Sequence, residues 1–449
     1  MADKPLFGLS EQLKKQMQER HRRHRPTASP IPQTEGRLSR KKSPSFAEIP
    51  EAFYRFDRMP GYQQIRVIEQ GGKQLGIESP FFKTHDKVAG AVTQIAGKDY
   101  INFASYNYLD LCGHPKVNEA AQQAIQRYGT SASASRMVSG ERAVQQQLEQ
   151  ALADVYEVDD CVAFVSGHAT NVTTIGYLLG HHDLILHDAL IHNSVLQGAL
   201  LSGARRMPFP HNDWQALEAL LAQHRHDFER VLIVLEGIYS MDGDYPDLPE
   251  FIAIKRKYKA FLMVDEAHSL GVMGQHGKGI REHFGLAGQD VDIWMGTLSK
   301  TLAGCGGYIA GEKALVHHLR IAAPGFLYSV GMSPALAAAS QTALALMLAE
   351  PERVRSLQQK GAYFIERCRH YGINTGYSKG LAVVPAILGS SARAGMAANR
   401  LFERGINVQP IFYPAVEERA ARLRFFMSTA HTLEQLEYTV KNLAEIADG

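Results

Sequence analysis

Short apolar runs alternate with amphipathic stretches through the middle of the chain, between about residues 100 and 310. The runs are rich in β-branched and large aliphatic residues, and polar residues or glycine bound each of them. Near-continuous apolar strands that alternate with helices are typical of a parallel sheet covered by helices on both faces. The predicted strands are 161–165, 184–187, 231–235, 261–264 and 291–295.

The pattern changes after residue 331. An Ala-rich helix is predicted over 335–349, and helices separate three further predicted strands at 382–388, 406–411 and 422–428. The sequence therefore predicts an α/β protein with a large domain over 99–330 and a smaller C-terminal α/β domain over 331–449.

Charge divides the chain differently. Residues 1–50 hold 11 Lys/Arg and 5 Asp/Glu, a net charge of +6, so 37 basic and 41 acidic residues remain, a net of −4. We expect 1–48 to be a basic, disordered tail and 49–98 to pack on the body. A body of this charge does not indicate nucleic-acid binding. The four cysteines lack C-x-x-C spacing, and no apolar run is long enough to span a bilayer, so a cytoplasmic protein is expected.

Three motif matches fail on context. Val-Asp-Glu-Ala-His at 264–268 resembles an ATPase motif, but the chain has no phosphate-binding P-loop. Gly-Tyr-Ser-Lys-Gly at 376–380 matches a hydrolase nucleophile elbow, but an apolar strand follows it where a helix is required. The histidines at 181, 182, 187 and 192 lack the spacing of a metal site, and no metal is predicted.

Polar residues at the predicted strand ends favour pyridoxal phosphate (PLP). Asp265 and His268 follow one strand, and Lys300 follows a later one. Ligands bind at the carboxyl ends of parallel strands, and PLP requires a lysine, a carboxylate for its ring nitrogen and donors for its phosphate. A lysine among glycines and hydroxyls is a poor core residue, although a surface loop remains its alternative.

These motifs together resemble the α-oxoamine synthase family of fold-type I PLP enzymes over about 100–435. The strings that carry the resemblance are Asn107-Tyr108-Leu109, Val138-Ser139-Gly140, Ser166-Gly167 with Asn171, Tyr239-Ser240-Met241-Asp242-Gly243-Asp244, Val264-Asp265-Glu266-Ala267-His268, Thr297-Leu298-Ser299-Lys300, Gly306-Gly307 and Arg422-Leu423-Arg424. The resemblance implies a mainly parallel seven-stranded sheet and a PLP-dependent acyltransferase. Such an enzyme condenses an amino acid with an acyl thioester and releases CO2, free thiol and an α-amino ketone.

The resemblance also assigns roles to residues. Lys300 binds the cofactor covalently and Asp265 pairs with the ring nitrogen. His268 bonds the ring hydroxyl, and His192 stacks on the ring. The remaining cofactor contacts are expected from Ser166, Gly167, His168, Ser240, Thr297, Ser299 and Ser329.

Further residues are predicted to bind the substrate or a partner chain. Arg422 and Arg424 lie two apart on a predicted strand and so share a face; Arg424 is the preferred carboxylate clamp, and Asn107 is a further substrate residue. Tyr328-Ser329 is expected to complete the neighbouring site of a homodimer. The basic tail is either inert or a dock for an acidic acyl carrier protein.

Two residues depart from the family pattern, and three alternative functions remain open. Asp110 stands where the family has glycine, and His168 stands where some members have an aromatic residue, so the exact substrate is not predicted. An aminotransferase or lyase would share Lys300 and Asp265. A non-catalytic partner subunit should lack Lys300, and a nucleic-acid binder should not have an acidic body.

Overall fold

The computed structural model describes residues 49–74 and 76–447. The predicted disordered tail, 1–48, lies outside the described residues. The chain divides into two compact units at Gln70–Gly71. In the first, 3-10 turns at Glu51–Phe53 and Phe56–Arg58 precede helix α1 (Pro60–Gln74), and Arg55 bonds Asp57 (3.0 Å).

The second unit contains three sheets. Their strands are β1 (Val92–Ile95), β2 (Lys98–Asn102), β3 (Asp160–Phe164), β4 (Leu184–Asp188), β5 (Arg205–Phe209), β6 (Val231–Glu236), β7 (Phe261–Asp265), β8 (Ile293–Thr297), β9 (Gly307–Gly311), β10 (Val383–Ile387), β11 (Ile406–Asn407), β12 (Gln409–Ile411) and β13 (Arg422–Phe426).

The largest sheet has seven strands in the order β3-β9-β8-β7-β6-β4-β5. Only β9 runs antiparallel to its neighbours, which confirms the predicted mainly parallel sheet and the α/β fold. Along β6, Leu232 and Val234 pack in one core while Ile233 and Leu235 pack in the other. This alternation explains the continuous apolar runs, because both faces of the sheet are buried.

Helices surround these sheets. They are α2 (Pro115–Tyr128), α3 (Ala143–Tyr156), α4 (Gly167–Leu178), α5 (Asn193–Ser202), α6 (Trp214–His224), α7 (Leu248–Tyr258), α8 (Ile280–Phe284), α9 (Lys313–Ala322), α10 (Pro324–Leu327), α11 (Pro334–Ala349), α12 (Pro351–His370), α13 (Ser391–Glu403) and α14 (Leu433–Ala447). A π-helical turn spans Arg136–Gly140. Across 49–74 and 76–447, no helix has the length and apolarity needed to cross a membrane.

A smaller antiparallel sheet, β10-β13-β12, forms the C-terminal part of the fold. The single strand predicted over 406–411 is divided in the structure, because β11 pairs with β2 and only β12 joins this sheet. The segment 238–244 of the large domain packs against it at Gly243. Gly243 has φ +72°, and a Cβ there would lie 2.0 Å from the Val383 carbonyl oxygen. Glycine is therefore required in this motif, both for its backbone conformation and for the close approach. The predicted domain boundaries themselves stay a prediction.

Candidate active site

A cavity of about 240 Å³ lies at the carboxyl ends of the central parallel strands. We call it the strand-end cavity. Its walls combine strand-end residues with the N-terminal turns of two helices. The lining residues are Ser166, Gly167, His168, Asn171, His192, Ser194, Glu236, Asp265, Ala267, His268, Met295, Thr297, Ser299 and Lys300.

Lys300 provides the reactive amine of this cavity. Desolvation lowers the pKa of Lys300 to about 8, although the nearby carboxyl groups, that of Asp265 first, oppose the shift. Its Nζ lies 5.4 Å from the centre of the Tyr106 ring. An amine with this pKa is partly neutral at physiological pH and can act as a nucleophile or a base.

Asp265 ends β7 and is held in one orientation. Oδ1 accepts a hydrogen bond from the Ala267 amide (2.9 Å), and Oδ2 accepts one from Asn171 Nδ2 (2.9 Å). Asn171 Nδ2 also donates to Ser194 Oγ at 2.9 Å. The sequence analysis gave Asn171 no role; one helical turn into α4, it orients the carboxylate.

Glu236 was also missed, and it ends the strand beside Asp265. The two residues are direct partners across β6 and β7. Burial, and then the charge of Asp265, raises the pKa of Glu236 well above its ordinary range. Oε2 accepts the Ser240 amide (3.2 Å), while Oε1 has no hydrogen-bond partner among the described residues. Burial therefore favours the neutral form of Glu236, and its Oε1 is a free polar group at the cavity wall.

Two histidines frame the space above Asp265. His268 is buried, and desolvation holds the pKa of its imidazole well below the ordinary value. Its Nδ1 lies 2.7 Å from the Tyr108 hydroxyl oxygen. If the hydroxyl donates, the ring proton is on Nε2, where it can be donated in turn. His192 caps α5, and its Nδ1 accepts the Ser194 amide at 3.2 Å.

Another part of the cavity wall is suited to an anion. Ser166 caps the N-terminus of α4, and the helix begins at Gly167 beside His168. A Cβ on Gly167 would lie 2.9 Å from Thr297 Oγ1, so glycine permits this close packing. Thr297 Oγ1 in turn accepts the Ser299 amide (3.2 Å). Free amides and the helix dipole at such a terminus favour a phosphate group.

The two arginines of β13 differ in their surroundings. Arg422 is buried and pairs with Asp242 at 2.7 Å, so it is occupied by the protein itself. Arg424 donates to the Ser240 carbonyl (3.1 Å), and its Nε has no partner among the described residues. Arg424 therefore has unused hydrogen-bonding capacity and Arg422 has little; which of them binds a substrate carboxylate stays a prediction.

Neither arginine lines the strand-end cavity, and the remaining predicted residues also lie outside it. Ser240 touches its wall through the amide that Glu236 accepts. Asn107 lines a second cavity of about 210 Å³, which shares Ser299 and Lys300 with the first. Ser329 lines neither; its Oγ donates to the Gly325 carbonyl (2.6 Å), and the role predicted for it depends on a second subunit.

Comparison with known proteins identifies the family. The model of aminotransferases of class I and II matches residues 98–443. The 8-amino-7-oxononanoate synthase of Thermosipho melanesiensis is 37% identical over 366 residues, covering 82% of this chain and 93% of the relative. The enzyme of the same name from Geobacter sulfurreducens is 40% identical, covering 78% and 89%.

Solved structures agree. Serine palmitoyltransferase from Sphingomonas wittichii superimposes with a TM-score of 0.82 and 27% identity, covering 87% of this chain and 98% of the neighbour. A lysine-to-alanine variant of serine palmitoyltransferase from S. paucimobilis, solved with a bound PLP–myriocin aldimine, gives a TM-score of 0.82 and 26% identity, covering 86% of this chain and 98% of the neighbour. The chain belongs to the α-oxoamine synthase family. It is a PLP-dependent C-acyltransferase that condenses an amino acid with an acyl thioester, with loss of CO2.

The residues present fit PLP. A desolvated lysine, an oriented carboxylate and a helix N-terminus lie around one cavity, each where a different part of the cofactor requires it. The unpartnered Glu236 Oε1 and the cradle at Gly167 are further features that a polar, phosphorylated ligand would satisfy.

Proposed function

We propose that this enzyme condenses alanine with the thioester of a seven-carbon dicarboxylic acid to give 8-amino-7-oxononanoate, CO2 and free thiol. The observation that carries the proposal is the identity of 35–40% to relatives named for that product. In that product the amino-bearing carbon carries a methyl group, as the α-carbon of alanine does. The other seven carbons of the product come from the acyl group.

The residues of the strand-end cavity divide the work. Lys300 would bind PLP, Asp265 would face its ring nitrogen, and His192 would cover one face of the ring. When bound, PLP supplies an acceptor for the electron pair that remains at the α-carbon after proton loss. Asp265 keeps this acceptor protonated, because a fixed carboxylate favours the charged ring.

Proton transfer belongs to Lys300 in this proposal. Its Nζ takes the α-proton of the amino acid, for which a pKa of about 8 is suitable. Arg424 binds the substrate carboxylate through donors that the protein leaves free. The substrate must keep its carboxylate until the new carbon–carbon bond has formed. A charge-assisted hydrogen bond from Arg424 would hold the carboxylate in place until then.

The second cavity supports a place for the acyl group. It meets the strand-end cavity at Ser299 and Lys300, and Asn107 and Tyr106 line it. An acyl carbon placed there would face the α-carbon of the amino acid. Asp110 stands behind this wall with φ +55°, and its side chain accepts from Asn107 Nδ2 at 3.3 Å. We infer that Asp110, at the position where the family resemblance leads us to expect glycine, shapes the acyl site through Asn107.

A homodimer is the assembly that we propose. Met137, Val138, Tyr328 and Val330 are all more than half exposed. Their two segments are adjacent, because the Gly331 amide donates to the Ala134 carbonyl (2.9 Å). A second subunit would cover this patch and bring Ser329 toward the phosphate end of the neighbouring site.

The test is a substrate screen on purified full-length enzyme loaded with PLP. Glycine, alanine and serine are each combined with CoA and carrier-protein thioesters of a seven-carbon dicarboxylate and of a long saturated acid. Products are identified by mass spectrometry and thiol release is measured, with Lys300→Ala as the inactive control.

We expect alanine and the dicarboxylyl thioester to give the highest kcat/KM. A preference for serine with the long-chain thioester would replace the proposed substrates by those of a serine palmitoyltransferase. Amino-group transfer to a keto acid without thiol release would instead indicate the aminotransferase alternative.

A further inference from the structure

His211 lies between two buried carboxylates in the connection from β5 to α6. Its Nδ1 is 2.9 Å from Asp188 Oδ1, and its Nε2 is 2.9 Å from Asp244 Oδ2. Both carboxylates are almost fully buried, and the imidazole itself is mostly buried. Since each ring nitrogen faces a carboxylate oxygen, both nitrogens must donate, and the ring is an imidazolium.

The two carboxylates account for the charge of His211. They outweigh desolvation and raise the pKa of His211 to about 10. The ring is also packed edge-on against Tyr239, with centroids 4.5 Å apart. A group that stays protonated and has no free nitrogen cannot serve as a base, so a role in proton transfer is excluded for His211.

The first carboxylate belongs to the segment that presents His192. Asp188 is the last residue of β4, and its Oδ1 also accepts the Leu190 amide (2.8 Å). The Asp188 carbonyl accepts the Ile191 amide (3.2 Å), and the next residue is His192. The position of Asp188 therefore sets the path of the chain into the cavity-lining histidine.

The second carboxylate belongs to the segment that holds Arg424. Asp244 ends the loop 238–244, and its carbonyl accepts the Tyr239 amide (2.9 Å). Within the loop, the Ser240 carbonyl accepts from Arg424. Fixing Asp244 thus fixes the loop that supports the arginine.

Asn212 strengthens the same connection. Its amide donates to Asp188 Oδ2 (2.7 Å), and its Nδ2 donates to Asp244 Oδ2 (3.0 Å). It adopts φ +56°, a left-handed conformation that asparagine tolerates better than most residues. Two consecutive residues therefore tie the same pair of carboxylates together.

We propose that His211 is a positioning residue for acyl transfer: it ties the strand end that presents His192 to the loop that supports Arg424. His211 lines neither cavity. It acts by keeping His192 and Arg424 in fixed positions relative to each other. This inference rests on the roles proposed for His192 and Arg424.

The test uses His211→Gln in the full-length, PLP-loaded enzyme. Glutamine has one donor nitrogen where histidine has two on opposite sides of the ring, and its amide oxygen cannot donate to the second carboxylate. One side of the connection is therefore lost while the side-chain size changes little. His224→Gln, at the C-terminal end of α6, is the matched control. For each protein the dissociation constant of the amino acid is measured from the cofactor spectrum, together with KM for both substrates and kcat.

We expect His211→Gln to raise the amino-acid dissociation constant and KM by about tenfold, because small displacements of positioning groups are costly. The thioester KM should change less than about twofold, and His224→Gln should match the wild type. Equal rises in both KM values, or a loss of thermal stability with unchanged KM values, would overturn the proposal.

A second variant covers the case in which His211→Gln does not fold. Asn212→Ser keeps His211 but removes the Nδ2 bond to Asp244, and it should shift the amino-acid constant in the same direction by a smaller factor. An unchanged constant would count against the connection. The binding measurement needs no turnover, so it also separates a failure of this inference from a wrong choice of acyl substrate.

Discussion

At the residue scale, the site depends on two neighbouring acids that carry different charges. Asp265 is fixed by two donors, Asn171 Nδ2 and the Ala267 amide, which stabilise its ionised form. Glu236 has one long contact to an amide and is deeply buried, which favours its neutral form. Two adjacent carboxyl groups with one charge avoid the repulsion that two charges would cause.

This difference predicts that replacing each acid by its amide affects the exchange rate of the substrate α-proton to very different extents. Asp265→Asn should slow exchange of the amino-acid α-proton by about 10²–10³-fold, because a fixed charge at the developing centre is lost. Glu236→Gln should change it by less than about threefold, because a neutral group replaces a neutral group of the same shape. Exchange in deuterated buffer, followed by NMR, measures both; similar losses in the two variants would contradict the assignment of charge.

Lys300 predicts a pH dependence. Its pKa is lowered to about 8, so the neutral amine forms at lower pH than for an ordinary lysine, whose pKa is ~10.4. The rate at which the cofactor-free enzyme takes up PLP should rise with pH up to about 8 and then level off. Stopped-flow absorbance measures the rate, and Lys300→Ala is the blank. A rate that still rises steeply above pH 9 would show that the amine is not desolvated.

At the element scale, β13 places Arg422 and Arg424 on one face but gives them different tasks. The pairing of β13 with β10 and β12 directs both side chains toward the loop 238–244. Asp242 neutralises the first arginine, and the second has only neutral partners among the described residues.

Substitution should separate the two arginines. Arg424→Ala should raise the amino-acid KM about 10–100-fold, equivalent to the loss of a charged hydrogen bond of ~1.5–3 kcal/mol, with little change in unfolding. Arg422→Ala should instead lower stability by ~3–5 kcal/mol, because Asp242 would be left buried and unpaired. The amino-acid KM and the free energy of unfolding in denaturant, measured for each variant, separate the two roles. The exposed residue Arg419, replaced by alanine, is the control. A larger KM effect from Arg422 would reverse the ranking.

The elements differ in how well the sequence predicts them. Strands buried on both faces, such as β4 and β6, are continuous apolar runs and were predicted within a residue or two. Strand β5, Arg-Arg-Met-Pro-Phe, has no such run and was not predicted; it is an edge strand, where proline and exposed arginines are tolerated.

The site shows the same division. Lys300 and Asp265 follow strong strand signals, so their meeting at one edge could be predicted from chain order. Asn171 and Tyr108 reach the site through packing between distant segments, and spacing along the chain gives no signal for that. His211 belongs to this second group, since its two partners are 23 and 33 residues away.

At the scale of the whole molecule, two features suggest contacts with other chains: the apolar patch beside Ser329 and the charge of residues 1–48. The patch leads to a prediction of intersubunit complementation. Lys300→Ala and a Ser329→Asp variant should each be inactive as homodimers, the second because a negative charge would repel the phosphate. Mixing and refolding them at equal amounts should restore about a quarter of wild-type activity. About half of the dimers are then hybrids, and one of the two sites in each hybrid contains neither substitution. No restoration, with hybrid dimers detected by mass spectrometry, would place Ser329 outside the neighbouring site.

The basic tail leads to a prediction about the acyl donor. Residues 1–50 carry a net charge of +6 on a chain whose remainder is at −4, so an acidic carrier protein would be attracted to the tail and not to the body. Deleting residues 1–48 should leave kcat/KM for an acyl-CoA unchanged and raise the KM for the same acyl group on an acidic carrier protein. The difference should shrink as salt rises, because salt screens the attraction between charges that are more than ~10 Å apart at 0.1 M. Replacing Arg22, Arg23 and Arg25 by glutamine tests charge without changing length, and it should reproduce part of the deletion's effect. If the carrier-protein KM is the same for the deletion and the full chain at low salt, the tail has no part in delivering the thioester.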